Sequence, residues 1–164
     1  MVILGIDPGL SISGFGVIEV SNRIIRCLNF GCIRSRKSPN LAEKLKKIYD
    51  ELNYVIEKYK PQYCAIESIF YHENVNTAII MGHARGVAML AAQQSQIEIF
   101  EYTPREIKMS VTGSGAASKE QIQAMVQNLL KLKNPPHPFD ASDGLAIALC
   151  HYHRINTHKL KNLT

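Results

Sequence analysis

The sequence predicts an α/β fold in which an antiparallel three-stranded meander is joined to parallel strands in one mixed sheet. Three observations support this class. The chain begins with three β-rich runs, two later short apolar runs lie between segments of helical periodicity, and the last third is mostly helical in pattern. The resulting order, β-β-β-α-β-α-β-α-α-α, is typical of a sheet whose later strands return in parallel beneath covering helices.

The meander occupies the start of the chain. Residues 2–6 form an unbroken apolar run that is typical of a buried strand, and residues 14–20 and 24–33 are rich in β-forming side chains. Ser21 and Asn22 separate the second run from the third and indicate a tight turn. The three runs therefore predict consecutive strands joined as antiparallel neighbours.

Two helices and a strand follow the meander. Asn40 is a candidate N-cap for a helix over 40–59, in which apolar residues recur at helical spacing until Pro61 interrupts the pattern. Residues 63–66 form a short apolar run that predicts an internal strand. Residues 77–94 have helical composition but almost no polar face, which predicts a helix covered on most sides by its own domain or by a second subunit.

The last third of the chain contains one more strand and three more helices. Residues 97–101 predict the strand, and Pro104 marks the start of a helix. The segment 111–117, rich in glycine and serine, is expected to be mobile. Ser118 and Gln121 have the spacing of a capping box at the start of a helix. The two remaining helices are predicted over residues 118–132 and 140–155.

Length and composition limit the classes of protein to consider. A chain of 164 residues with 46% hydrophobic side chains can build one core, so we expect a single domain over 1–157 and a short polar tail over 158–164. No apolar stretch approaches the roughly 20 residues of a membrane span, and the N-terminus lacks a signal-peptide pattern, so we expect a cytoplasmic protein without membrane association. Four cysteines without a CxxC pair predict buried free thiols. Cys150, His151 and His153 end a helical pattern, where structural roles are expected.

The chain is basic, and its positive charge lies mainly in two segments. The formal net charge is +5, and basic residues outnumber acidic ones over both 23–60 and 102–133. A charge excess favours an anionic partner only weakly, because it reports on association rather than on a specific function. The two segments are nevertheless where contacts to a polyanion are expected.

Four carboxylates occupy positions that predict a shared site. Asp7 and Glu67 each end an apolar strand, and ligands of α/β sheets gather beyond the carboxyl ends of parallel strands. Asp140 and Asp143 lie on one side of the first turn of the last predicted helix, a spacing that by itself is typical of helix capping. Four adjacent acids would repel one another without a multivalent cation. The arrangement therefore predicts an oxygen-rich site for Mg²⁺, with Mn²⁺ as a plausible substitute.

Such a site supports the hydrolysis of phosphodiester bonds. Two metal ions about 3.5 to 4 Å apart can activate a water molecule and stabilise the leaving oxygen. The acids must converge for this chemistry, so the hypothesis depends on the fold.

Five stretches of the sequence resemble a known family. They are GIDPG at 5–9, AIESIF at 65–70, GHARGVAMLAA at 82–92, EYTPREIKMSVTGSGAASKEQI at 101–122 and DASDGLAIA at 140–148. In this order and spacing, over nearly the whole chain, they are similar to the RuvC family of Holliday-junction resolvases. DPG alone would be a weak signal, whereas the set is highly specific.

The resemblance implies an RNase H-like fold, with a five-stranded mixed sheet flanked by helices, and a homodimer. It also implies Mg²⁺-dependent paired nicking of four-way DNA junctions in recombination and repair, with two metal ions per subunit, alongside a branch-migration motor complex. The metal-binding, catalytic acids of the family fall on Asp7, Glu67, Asp140 and Asp143. Its DNA-binding positions fall on Phe70, an aromatic implicated in engaging junction bases, and on Lys108 and Lys119, close to the cleaved strand.

Three positions qualify the resemblance. Gly144 replaces an alanine that is common in the last motif, and a glycine inside a helix costs about 1 kcal/mol relative to alanine, so we expect it to loosen the helix. Some relatives carry histidine where this chain has Asp140, which makes that ligand the least constrained. His137 is near enough in sequence to contact a metal or phosphate, although a loop role is more typical beside three prolines.

The small residues of 77–94 permit close contact between two helices and hence an isologous dimer, which would place two sites about a two-fold axis. The alternative is that this helix lies at the centre of a single domain, which would favour the same composition.

Two other functions remain open from the sequence. An RNase H-like RNA nuclease would prefer RNA and lack junction selectivity, and a catalytically silent junction-binding protein would depend on lysines rather than acids. An actin-like ATPase needs two such domains, for which this chain is too short.

Overall fold

The computed structural model describes residues 1–68 and 75–161, with side chains described up to Thr157. Its elements follow the predicted order. The strands are β1 (Val2–Asp7), β2 (Ile12–Ser21), β3 (Ile24–Arg34), β4 (Tyr63–Glu67) and β5 (Glu98–Tyr102). The helices are α1 (Leu41–Tyr59), α2 (Val75–Gln94), α3 (Pro104–Thr112), α4 (Lys119–Leu129) and α5 (Phe139–Lys161).

The five strands form one mixed sheet in the order β3-β2-β1-β4-β5. β1 is antiparallel to β2 and parallel to β4, and β4 is parallel to β5. Asn22 and Arg23 make the turn between β2 and β3 with φ angles of 49° and 64°, one residue later than the predicted pair. The α/β class and the joining of a meander to parallel strands are confirmed.

Helices cover both faces of the sheet. Alternate residues of each strand point to opposite faces, so Ile3 packs with α3, α4 and α5, whereas Leu4 packs with α1 and α2. α5 contributes a nearly continuous buried run from Leu145 to Cys150. Among the described residues, none of the helices combines the length and apolar character needed to cross a membrane.

The ends of the helices agree with the sequence prediction at some positions and differ from it at others. Asn40 caps α1 by accepting a hydrogen bond from the Glu43 N–H, as predicted. Ser118 and Gln121 form the predicted capping box of α4, but that helix ends at Leu129 rather than at residue 132, shortly before Lys131 adopts a φ of 51°.

Two further helices continue beyond the ends that the sequence indicated. α3 continues to Thr112 and ends on Gly113 with a φ of 78°, so the segment predicted to be mobile begins with helix. α5 extends to Lys161 instead of residue 155 and so includes residues 158–161, while the division into a domain over 1–157 and a tail over 158–164 stays a prediction. No proline or glycine follows residue 144 in this stretch, so local chemistry does not stop the helix.

The cysteines and the histidines of α5 have structural surroundings. All four cysteines are free thiols, but burial is confirmed only for Cys64 and Cys150, because Cys27 and Cys32 on β3 are partly exposed. His151 is also buried, and its Nδ1 lies 2.7 Å from the Tyr102 hydroxyl. Its ring lies 4.3 Å from the ring of Phe100, centroid to centroid. The expectation that this part of α5 is structural agrees with these contacts.

His151 is expected to make stability depend on pH. Burial lowers its pKa to about 4 from 6.5, so the folded state resists protonation while the unfolded state accepts a proton. The contribution of the buried, neutral His151 to the free energy of unfolding is fully present above pH 6.5 and is lost as the pH falls towards 4. Between pH 7 and pH 5 the free energy of unfolding should fall by about 2 kcal/mol from this group.

The measurement is urea unfolding of the wild type and of His151→Phe at several pH values. The variant keeps an aromatic ring in the cluster, so its stability should vary less between pH 7 and pH 5. Parallel pH curves for the two proteins would contradict the assignment.

Candidate active site

Three of the four predicted acids meet where the parallel strands end. β1 and β4 are neighbours, so Asp7 and Glu67, at their carboxyl ends, lie side by side. The first turns of α5 pass over the same end of the sheet and bring Asp143 to it. Asp7, Glu67 and Asp143 line one cleft of about 180 Å³. The predicted convergence of strand-terminal acids with the last helix is therefore found for these three.

Two lysines complete the polar lining of this cleft. Lys108 projects from α3 and Lys119 from the first turn of α4. The Nζ of Lys119 lies 3.9 Å from Oδ2 of Asp143, and the lysine is 65% exposed against 20% for the aspartate. Apolar walls surround the charged groups, formed by Pro104, Ile107, Ile122 and Ile147. The cleft thus combines carboxylates that can hold a cation with ammonium groups that can face a phosphate.

The proximity of the acids is visible in their pKa values. Burial raises the pKa of Glu67 to about 8, helped by the charge of Asp7 and by a hydrogen bond between the two side chains. Burial also raises the pKa of Asp7, and it raises that of Asp143 to about 6 with the charge of Asp7 as the next cause. The positive charge of Lys119 lowers the pKa of all three carboxyl groups, and so opposes the effect of burial. Without a cation, these acids therefore hold protons more tightly than isolated carboxyl groups do.

Glycines allow α5 to lie directly on the sheet. A Cβ on Gly14 of β2 would collide with the backbone carbonyl of Asp140, and one on Gly16 would lie 2.5 Å from the Leu145 nitrogen. Gly144 meets β2 from the other side, because its Cβ would overlap the backbone of Phe15. The expectation that Gly144 loosens the helix is wrong in this respect, since its missing side chain permits close packing beside Asp143.

The remaining predicted residues have different positions. Asp140 does not line the acidic cleft, although its charge raises the pKa of Asp7 and of Asp143. His137 is also outside the cleft lining, and its Nδ1 lies 3.4 Å from the Gln123 amide nitrogen on α4. Phe70 lies outside the described residues. The metal-binding and DNA-binding roles of all the predicted site residues, including Asp140 and Phe70, remain predictions.

The donor set suits a hard divalent cation. Within the described ranges, no three acidic, histidine or cysteine side chains are already drawn together as a complete set of metal ligands. Asp7 and Glu67 instead share a hydrogen bond, which requires a proton between two carboxyl groups. Carboxylate oxygens are the donors that Mg²⁺ and Mn²⁺ prefer, and a cation would replace that proton. The residues therefore fit the predicted kind of metal.

Sequence reasoning missed the cleft walls and the glycine contacts. The apolar side chains that line the cleft come from α3, α4 and α5, and nothing in their local sequence separates them from other core residues. The alternation of Gly14 and Gly16 along β2 was a usable signal, because glycine inside a strand often marks a close approach of another backbone. The capping box of Thr103 and Glu106 at the start of α3 was also readable from its spacing.

Comparison with known proteins identifies the family of this fold and cleft. The family model for crossover junction endodeoxyribonuclease RuvC matches residues 3–151. The chain belongs to the RuvC family. A RuvC of Pseudothermotoga lettingae is 50% identical over 151 residues, covering 92% of this chain and 93% of the relative. A RuvC of Legionella pneumophila is 50% identical over 155 residues, covering 94% and 88%.

Solved structures of the RuvC family share the whole fold. A T. thermophilus RuvC in complex with a Holliday junction substrate is 30% identical, has a TM-score of 0.90 and covers 96% of each chain. A fowlpox virus Holliday junction resolvase, at 12% identity and a TM-score of 0.59, shows the same fold at a greater distance. The RNase H-like arrangement predicted from the sequence is therefore confirmed.

Proposed function

We propose that this RuvC-family chain is an endonuclease that resolves four-way DNA junctions by paired, symmetric nicks during recombination and repair. The observation that carries the proposal is the cleft in which Asp7, Glu67 and Asp143 converge beside Lys108 and Lys119. Buried acids with raised pKa values next to exposed lysines are an arrangement for holding cations and an anionic backbone together. Family membership directs that chemistry to junction DNA.

Asp7, Glu67, Asp143 and, from the adjoining turn, Asp140 would hold Mg²⁺, with Mn²⁺ as a substitute and two ions per subunit. The ions would supply activation of water and stabilisation of the leaving oxygen. The protein's own groups would orient the cleaved strand. Lys119, held beside Asp143 and largely exposed, is placed to bind the phosphate at the cleft, and Lys108 would do the same from α3. The isoleucine walls would exclude bulk water from the site.

Lys119→Gln is expected to lower the cleavage rate about 100-fold, because removing one stabilising donor from a catalytic site typically has an effect of this size. Its ion pair with Asp143 is long and exposed, so the free energy of unfolding should change by less than about 0.5 kcal/mol. Single-turnover cleavage and urea unfolding provide the two measurements. Lys133→Gln, an exposed lysine outside the cleft lining, is the matched control and should cut normally. If Lys119→Gln lowered the free energy of unfolding by as much as it raised the activation free energy of cleavage, the phosphate-binding role of Lys119 would be refuted.

The face of α2 that points away from the sheet supports a homodimer. Ala84, Ala88, Ala91 and Ala92 pack into the core, so within one subunit the helix is covered on one side only, and the predicted coverage on most sides would require a second subunit. The opposite stripe carries Val75, Ile79, Gly82, Gly86 and Leu90 at helical spacing. Its three large apolar side chains are each at least half exposed, and both glycines face open space. A second copy would cover this stripe through a two-fold axis.

Ile79→Asp is expected to weaken the dimer at least about 100-fold, because the substitution places an unpaired charge at the centre of the proposed interface. Analytical ultracentrifugation over a range of protein concentrations measures the change. Ile24→Asp is the matched control, since Ile24 is 58% exposed and Ile79 is 54% exposed, but Ile24 begins β3. A wild type that is monomeric at every concentration would exclude the dimer. If the two substitutions weakened the dimer equally, the effect would come from a general change in solubility and not from the proposed interface.

The decisive experiment compares substrates with purified protein and Mg²⁺. A synthetic four-way junction should be cut by two symmetric nicks, linear duplex and RNA should not, and chelation should stop the reaction. Binding without cutting in Mg²⁺ or Mn²⁺ would instead indicate a junction-binding protein. Equal cutting of RNA would indicate an RNA nuclease.

We further propose that the protein acts in the cytoplasm with a branch-migration motor complex, which should raise the rate of junction cutting when added.

A further inference from the structure

A second concave surface lies on the other side of α3 from the acidic cleft. It is a groove of about 470 Å³ between α3 and α5, and its lining includes Arg105, Glu106, Met109, His153 and Arg154. The acidic cleft takes different residues from the same helix, Pro104, Ile107 and Lys108. α3 therefore separates the two sites and presents a basic side chain to each of them.

The charge of the groove depends on one arginine. Arg154 is paired with Glu106, so those two charges offset each other. Arg105 is exposed and makes no ion pair with any residue in the described parts of the chain. Burial lowers the pKa of His153, whose Nδ1 lies 3.1 Å from the Ser110 carbonyl oxygen, so this histidine adds little positive charge. The groove thus carries one uncompensated guanidinium.

The remaining lining also suits a DNA backbone. Met109 is 49% exposed in the groove and offers an apolar surface beside the guanidinium. A DNA backbone alternates anionic phosphates with apolar sugar faces, so a cation next to a thioether matches that alternation. Arginine is well suited to phosphate because its N–H groups form paired hydrogen bonds with two oxygens.

The width of α3 sets the spacing expected between the cleft and the groove. A helix with its side chains is about 10–12 Å across. DNA advances about 3.4 Å per base pair, so a duplex that leaves the cleft would pass the groove after roughly three or four base pairs. We propose that this groove binds backbone phosphates of the duplex arm that flanks the cut, with Arg105 as the contacting residue. The inference rests on the proposed function, because it requires junction DNA in the adjacent cleft.

The first test is junction binding by Arg105→Gln in EDTA between 50 and 300 mM salt. Losing one phosphate contact should reduce the slope of log affinity against log salt by about 0.9 and should weaken binding several-fold near 0.1 M salt. Single-turnover cutting should need several-fold more protein to reach half of its maximal rate, because Arg105 would contribute to binding and does not line the cleft. Glutamine keeps the Cγ that faces Gly115, and Arg105→Lys, which keeps the charge, should retain the slope.

Arg105→Lys is the matched control, because it keeps the positive charge that Arg105→Gln removes. A second test uses junctions with neutral methylphosphonates introduced in turn along each arm. Substitution three to four nucleotides from the cut should weaken wild-type binding and leave Arg105→Gln unaffected.

The outcomes separate the two proposals. If the wild type neither binds nor cuts the junction, the proposed function itself fails. If the wild type binds and cuts but Arg105→Gln has the same affinity and salt slope, the groove is not a DNA site. An Arg105→Gln effect that no methylphosphonate position reproduces would also overturn the assignment.

Discussion

Asp7→Asn is expected to reduce junction cutting at least about 1,000-fold, which corresponds to roughly 4 kcal/mol of lost transition-state stabilisation. Asp7 is the central acid of the cleft, because it hydrogen-bonds Glu67 and its charge raises the pKa of both Glu67 and Asp143. An amide keeps the shape of the side chain but removes the negative charge that would hold a divalent cation. Single-turnover cleavage of a labelled four-way junction in Mg²⁺ measures the effect.

The same variant should fold and bind normally. Because Asp7 is a buried acid among acids, its neutralisation relieves repulsion, so the melting temperature without metal should stay equal or rise. Junction affinity in EDTA should be equal or higher, since one negative charge has left the cleft. Asp50→Asn, on an exposed face of α1 where the aspartate pairs with Lys46, is the control and should cut normally. Normal cutting by Asp7→Asn would end the assignment of the active site.

Gly14→Ala is expected to have the second largest effect, and it acts on both stability and catalysis. The added Cβ would collide with the backbone carbonyl of Asp140 and would lie 3.2 Å from the Asp140 Cα, so a helix backbone must move. Overpacking of this kind costs about 3 kcal/mol when no flexible side chain can yield. Displacing the start of α5 also moves Asp143 relative to Asp7, and a shift of about 1 Å in a catalytic group can cost roughly 100-fold in rate.

Urea unfolding and the Mg²⁺ dependence of cutting distinguish these two consequences. A higher Mg²⁺ concentration for half-maximal rate would show that the acids have moved apart, which simple destabilisation would not produce. Gly31→Ala is the control on the neighbouring strand. Its Cβ would lie 3.2 Å from the edge of the Phe15 ring, a side chain that can move, so stability should fall by less than about 1 kcal/mol. Normal Mg²⁺ dependence and normal rate in Gly14→Ala would show that the glycine contacts do not position the site.

Local chemistry made most of the secondary structure predictable. The first helix is bounded by signals that act within a few residues, Asn40 at its start and the residues before Pro61 at its end. α5 shows the limit of such signals, because its continuation to Lys161 has no local marker. Burial of one helical stripe against the sheet stabilises the helix without fixing where it ends.

The site was predictable to the extent that topology is predictable. Asp7 and Glu67 could be placed together because each ends an apolar strand, and parallel neighbours present their carboxyl ends at one edge of a sheet. The sequence did not show which residues of α3 face the acidic cleft and which face the groove between α3 and α5. Whether Lys108 faces the acids and Arg105 faces a separate groove depends on how α3 rotates when it packs against α5.

The sequence by itself determined the order of strands and helices, the acids at the strand ends and, through five motifs, the family. These features follow from side-chain periodicity, turn chemistry and residue identity, all of which act along the chain. Only the tertiary structure decided that Gly14 and Gly144 let α5 lie against β2 and that α2 leaves an apolar stripe exposed. Both depend on distances between backbones far apart in sequence, and those distances are set by the packing of the whole core.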